Sequence, residues 1–198
     1  MQKFSGTLAN NFFERNPKYI TKPITLQLGK YLRNEKLTNI FEVGCHTGAQ
    51  LYYLSMDLQC KGYGMDLSGK AVEAGNEKYK DLHLQVGRCP DHFDSMVEDN
   101  SMDLIHFGFC LYVMSDAEYE ESIRIAMKKL KNGKFLSIVE FDSESVKQCN
   151  RDNVLIYKRD YSSIEGLKLL EKKAFYDNNT TSYDDDENRY SLWLFKKK

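Results

Sequence analysis

Two acids and two glycines are spaced in this sequence as a site for a polar ligand requires. The stretch Ile40-Phe41-Glu42-Val43-Gly44-Cys45-His46-Thr47-Gly48-Ala49-Gln50-Leu51 opens as a short apolar run that contains an acid near its end. It passes through both glycines and continues into a helical pattern at Leu51, Leu54 and Leu58. That order reads as strand, tight turn, helix. Glycines without Cβ atoms let the backbone turn sharply and let a ligand lie against it. The first turn of the following helix points its unpaired N–H groups back at the turn, where they can hold carboxylate or hydroxyl oxygens. Tyr63-Gly64-Met65-Asp66-Leu67-Ser68 reads as a second strand with its own terminal acid. A carboxylate there can grip two neighbouring hydroxyls at once. Asp66 could also serve as the N-cap of the next helix, but Ser68 is better placed for capping.

The spacing separates two families that use such a turn. A nicotinamide site needs Gly-x-Gly-x-x-Gly, whose second and third glycines would fall here at His46 and Ala49. The acid followed by Gly-x-Gly-x-Gly resembles instead the first motif of class I S-adenosylmethionine (SAM) methyltransferases, matching at Glu42, Gly44 and Gly48 and departing at His46. Lys131-Asn132-Gly133-Lys134 before an apolar run is similar to the Leu-Lys-Pro-Gly-Gly turn of that family.

The resemblance covers nearly the whole chain. It implies an α/β fold: a three-layer α-β-α sandwich around a mostly parallel seven-stranded sheet with a C-terminal antiparallel hairpin. It implies SAM as cofactor, with S-adenosylhomocysteine (SAH) as product. The cofactor-binding residues would be Glu42, Gly44, Cys45, His46, Gly48, Asp66, Leu67, Arg88, Cys89 and Phe109. Asp66 would take the ribose, and His46 would touch the methionine moiety or only fill space. No acid directly follows the third strand (Asp91 lies two residues past Cys89), so backbone at Arg88 and Cys89 plus apolar packing would meet the adenine.

The elements that position these residues follow from periodicity. One domain spans 1–198, with an N-terminal helical cap segment over 1–37 and the Rossmann-like core over 38–198. Residues 1–16 show no clean period, and a helix is expected from about Pro23 to Glu35. In the resembled family such a segment covers the cofactor cleft, which makes Phe12, Phe13 and Tyr19 candidate lid residues; each could equally pack the helix onto the sheet. Lys70–Tyr79 reads as a helix, Leu82–Val86 as the third strand and Ser101–Val113 as the fourth strand with its exit loop. Asp116 caps a helix from about Ala117 to Leu130, and Phe135–Phe141 is the fifth strand. Residues 143–160 are hard to read and should reach over the acceptor pocket. Ser162–Ala174 reads as an amphipathic helix on Ile164, Leu167 and Leu170, and Phe175–Tyr183 with Tyr190–Phe195 as a closing antiparallel pair. The acidic run Asp184–Glu187 between them reads as a solvated loop.

For an oxygen or nitrogen acceptor a base has to remove a proton, and the candidates are His106, Tyr112 and Glu140, with Asp160 beside them. His106 lies inside the fourth strand, where a hydrogen-bonded core histidine is the alternative. The fourth strand's exit is neither Asp/Asn-Pro-Pro-Tyr/Phe nor Pro-Cys, so both nucleobase-methylating motifs are missing there.

Composition narrows the field further. A net charge of −1 over 198 residues provides no global field for a nucleic-acid backbone. No run of about 18 apolar residues suggests a membrane span, and the N-terminus lacks an apolar signal core, so a cytoplasmic protein is expected. The five cysteines form no Cys-x-x-Cys pair, and Cys89-Pro90-Asp91-His92 offers two ligands without a second pair, so no metal is expected. The first reading is a SAM-dependent methyltransferase acting on a small molecule or sugar derivative. An RNA or protein methyltransferase, or a non-catalytic subunit of the same fold, are the alternatives.

Overall fold

The computed structural model describes residues 4–16, 22–143, 147–151, 154–176 and 189–198. The helices are α1 (Gly6–Arg15), α2 (Lys22–Leu32), α3 (Ala49–Leu58), α4 (Gly69–Lys78), α5 (Phe93–Met96) and α6 (Asp116–Lys129). The strands are β1 (Asn39–Val43), β2 (Lys61–Asp66), β3 (Leu82–Val86), β4 (Met102–Gly108), β5 (Leu130–Phe141), β6 (Lys147–Arg151), β7 (Val154–Lys158), β8 (Leu167–Tyr176) and β9 (Arg189–Lys197). Seven strands form one sheet in the order β3-β2-β1-β4-β5-β9-β8, parallel from β3 to β5 and closed by the antiparallel β9 and β8. The α/β class and the C-terminal hairpin are as the sequence implied.

Alternation along the central strands makes two cores. Phe41, Val43, Ile105, Phe107 and Ile138 face α5 and α6, packing with Phe93, Ile123 and Trp193. Ile40, Leu104, Phe135 and Val139 face α2 and α3, packing with Leu28, Leu32, Leu51 and Leu54. Covering both faces forces near-continuous apolar strands. The sheet order reverses direction between β1 and β4, and the crevice at their carboxyl ends is where ligands bind in open α/β sheets.

Both sheet edges are blunted. The Asn76 amide donates to Leu84 O at 3.0 Å and accepts from Leu84 N at 3.4 Å, occupying the outer backbone of β3. At the other edge, β8 carries Lys168, Lys172 and Lys173 and a register shift between Leu169 and Glu171.

Three expectations are corrected. Residues 167–174 lie in a strand, not in the second half of a helix. The irregularity at Leu169/Glu171 breaks the two-residue alternation, and the extra residue turns Leu170 outward, 43% exposed, which placed Leu167 and Leu170 at helical spacing. The partner of β9 is therefore β8, which ends at Tyr176; residues 177–188, including Asp184–Glu187, lie outside the described residues. The N-cap of α6 is Ser115, not Asp116. The Ser115 side chain accepts from Glu118 N while Glu118 reaches back to Ser115 N, a complete capping box. The stretch 6–15, without a clean period in sequence, is the helix α1. Within 143–160 the structure forms the antiparallel pair β6–β7.

Candidate active site

The turn after β1 is built on left-handed backbone. Gly44 and Gly48 have φ of 76° and 71°, and His46 between them has φ 52°. A non-glycine residue in this region costs about 1–2 kcal/mol, so the departure from glycine at His46 keeps the conformation and adds a ring. Both glycines are also required by packing. A Cβ on Gly44 would meet Cys110 Cβ at 2.7 Å, and one on Gly48 would meet Leu84 Cδ1 at 2.8 Å. Gly48 caps α3 without a side-chain bond, leaving the first-turn amides of that helix facing the turn.

Asp66 is fastened to this turn. Its Oδ2 accepts from His46 N at 2.8 Å and its Oδ1 from Ser68 N at 2.7 Å, while Ser68 caps α4 by accepting from Ala71 N. Burial outweighs these bonds and carries the Asp66 carboxyl above its ordinary value. The Leu67 amide is a third donor to this carboxyl, which still leaves acceptor capacity for a ligand hydroxyl.

Glu42 is buried at the end of β1. Its Oε1 accepts from Gln50 Nε2 at 3.2 Å and the Leu51 amide also bears on the carboxyl, while Oε2 makes no well-formed hydrogen bond among the described residues. Burial first, then the charge of Asp66, push this carboxyl well above its ordinary value. A buried acid with an idle oxygen fits a cationic ligand group. This is the feature that best fits the methionine end of SAM.

The N-terminal segment lies across the site. Phe12 and Phe13 hold the His46 ring, with centroid separations of 5.9 and 5.3 Å. Asn10 Oδ1 accepts from Ser68 Oγ at 2.8 Å, Lys70 pairs with Glu14, and a Cβ on Gly6 would touch Leu67 O. Arg88 donates to Phe4 O at 3.2 Å and to Glu118 at 2.8 Å, joining the segment before α1 to the cap of α6. The Arg88 amide itself donates to His92 Nδ1. The Arg88 amide that the sequence offered to an adenine is thus already engaged. Cys89 is buried with its Sγ on Ser122 Oγ at 3.2 Å, and Cys45 is buried with its amide on Met65 O. The candidate lid residue Tyr19 lies outside the described residues.

Past β4 the chain makes a second strained step, with Phe109 at φ 50°. Its ring packs on Phe141 and Tyr190, at 5.7 and 5.3 Å, and Tyr112 packs on Phe141 at 5.3 Å. A single 3-10 turn, Leu111–Val113, follows. Glu140 Oε1 accepts from Leu111 N at 2.6 Å and Tyr112 N at 3.2 Å. From the other side Arg159 donates to Leu111 O at 3.3 Å, Met114 O at 2.8 Å and Asp116 at 2.7 Å. Burial pushes Glu140 up to about 8, and its Oε2 has no hydrogen-bond partner among the described residues.

The catalytic candidates thus separate. Tyr112 and Glu140 meet at this turn. His106 does not join them: it is buried under the glycine turn, with Nε2 2.8 Å from Gln50 and Nδ1 2.7 Å from Ser137 Oγ, and burial lowers its pKa to about 4. Asp160 accepts from Ser162 N and Oγ. Sequence reasoning missed Gln50 and Arg159; a lone Gln in the first turn of α3 and a lone Arg carry no spacing signal.

Residues 40–133 match the family model described as a methyltransferase domain. Over that segment, from β1 into β5, the chain is similar to methyltransferase domains. No curated protein sequence matches it significantly. Among solved structures, this methyltransferase fold is similar to the N-methyltransferase NodS of Bradyrhizobium japonicum in complex with SAH, at 16% identity and TM-score 0.67, covering 96% of this chain and 98% of that one. It is similar to the Burkholderia thailandensis 1,6-didemethyltoxoflavin-N1-methyltransferase, at 11% identity and TM-score 0.67, covering 89% and 77%. It is also similar to the methyltransferase in complex with the Trm112 activator of Haloferax volcanii, at 14% identity and TM-score 0.67, covering 100% and 99%. No helix among the described residues is long and apolar enough to cross a membrane.

Proposed function

We propose that the protein transfers the methyl group of SAM to an oxygen or nitrogen of a small-molecule or sugar-derivative acceptor. The observation that carries the SAM half of this reading is the buried Glu42 carboxyl beside a left-handed glycine turn at the switch point of the sheet; the aromatic surroundings of Phe109 and Tyr112 support a small acceptor. When bound, SAM supplies an electrophilic methyl on a good leaving group, so the protein's main task is positioning, worth about 7–11 kcal/mol of barrier. Glu42 Oε2 would receive the methionine ammonium, and the first-turn amides of α3 its carboxylate. Asp66 would hold the ribose hydroxyls on its remaining lone pairs.

Phe12 and Phe13, on α1, would exclude water from the cofactor side. Phe109, Tyr112, Phe141 and Tyr190 would do the same around the acceptor. Glu140 is the group placed to take the acceptor's proton. Its Oε1 fixes the turn that carries Tyr112, and a pKa of about 8 matches a base at working pH. His106, with both ring nitrogens engaged, has no part in proton transfer.

A second reading, an RNA or protein methyltransferase that works with a small activator subunit, is favoured by the full-length likeness to the Haloferax protein. Release of SAH, measured against panels of small amines, phenols, sugars and RNA, tests both. Turnover of small acceptors by the isolated protein supports the first reading, and turnover of RNA alone overturns it.

A further inference from the structure

Three polar side chains of the buried interior lie in one line beneath the glycine turn. Glu42, His106 and Ser137 are direct cross-strand neighbours on β1, β4 and β5. Alternation puts all three on the face toward α3, among Leu104, Val139 and Leu192. Gln50, in the first turn of α3, comes down onto this row. Its Nε2 lies 3.2 Å from Glu42 Oε1 and 2.8 Å from His106 Nε2, and His106 Nδ1 lies 2.7 Å from Ser137 Oγ.

With the Gln50 amide nitrogen on both partners, the direction of these bonds follows. An amide NH2 has two protons, and here one goes to the Glu42 carboxyl oxygen and one to the imidazole. His106 Nε2 must therefore accept, so the ring is neutral with its proton on Nδ1, donated to Ser137. The contacting atom of Gln50 toward both Glu42 Oε1 and His106 is its amide nitrogen, which has no acceptor capacity. Gly108 closes the row from above: a Cβ there would stand 3.2 Å from Glu42 Oε1 and 3.3 Å from His106 Nε2, so only glycine leaves this space clear.

We propose that Gln50, His106 and Ser137 are positioning residues that hold the Glu42 carboxyl with Oε2 turned to the cleft for the ammonium group of the cofactor. The inference rests on the SAM reading above. His106 locks the Gln50 amide, the Gln50 amide holds Oε1, and Oε2 is left as the acceptor for an incoming cation. Satisfied buried networks of this kind fix one side-chain arrangement, and losing one member releases the rest.

The test compares two ligands by titration calorimetry: SAH, and 5′-methylthioadenosine, which has the same nucleoside but no amino-acid end. In wild type both bind. His106→Leu keeps the volume but removes the acceptor for Gln50, and is expected to weaken SAH about tenfold while leaving 5′-methylthioadenosine unchanged. His106→Gln restores an acceptor and recovers most of the SAH affinity. Ser137→Ala, a small change that preserves the fold, weakens SAH in the same selective way. Equal losses for both ligands, or unchanged SAH affinity in folded His106→Leu or Ser137→Ala, overturn the positioning role. Wild type that binds neither ligand overturns the SAM reading itself, and this inference with it.

Discussion

The backbone amide of His46 donates to Asp66 Oδ2 at 2.8 Å, so the glycine turn after β1 and the acid that ends β2 move as one unit. The same histidine carries the N-terminal helix on its ring, through Phe12 and Phe13. His46→Gly would relieve left-handed backbone but remove that seat. Residues 6–15 are then expected to exchange amide hydrogens faster while β1, β2 and β4 keep their protection. Hydrogen-exchange mass spectrometry reads this directly, and unchanged exchange in α1 would mean that its hold lies in Asn10, Glu14 and Arg88 alone.

Glu140 couples stability to pH. Its folded pKa, about 8, stands above the ordinary 4.5. Its stabilising contribution is therefore full below about pH 4.5 and is lost as pH rises through 8. Wild-type melting temperature should fall between pH 5 and pH 9. Glu140→Gln should flatten this decline, because its amide oxygen can still accept from Leu111 N and Tyr112 N.

The same residue should shape activity in the opposite direction. As a base it works ionised, so methyl transfer should rise with pH to a plateau above about 8, and Glu140→Gln should abolish that limb. A profile indifferent to the substitution would restrict Glu140 to fixing the turn.

Arg159 is buried and holds two backbone carbonyls of the turn that carries Tyr112. Arg159→Met fills part of the volume but leaves Leu111 O and Met114 O without that donor. Chemical denaturation should show a loss of about 2–4 kcal/mol. The cap of α6 is a smaller case, since Ser115→Ala should cost about 1 kcal/mol.

The parts of the fold that follow periodicity were readable in the sequence. β3 at Leu82–Val86, the glycine turn, and the helices α3, α4 and α6 all came from apolar spacing with end signals such as Ser68. β8 was misread because the bulge at Leu169/Glu171 breaks the alternation that identifies a strand. α1 falls in the expected helical cap segment, but periodicity gave it no bounds because its apolar residues answer to the site beneath it, Phe12 and Phe13 on His46, and not to a continuous core. The site divides in the same way. Glu42, Gly44, Gly48 and Asp66 belong to local motifs, whereas the row Glu42–His106–Ser137 exists only through strand register. A His and a Ser standing in otherwise apolar central strands were the signal available for it.

The carboxyl edge between β1, β2 and β4 should bind SAM and its product. The most direct measurement is calorimetric titration of SAH into wild type and Asp66→Ala. The account predicts micromolar binding to wild type and its loss in the variant, which gives up the ribose contact and the anchor of His46 together. A well-folded wild type that takes no SAH, or an Asp66→Ala protein that binds it as tightly, would contradict it.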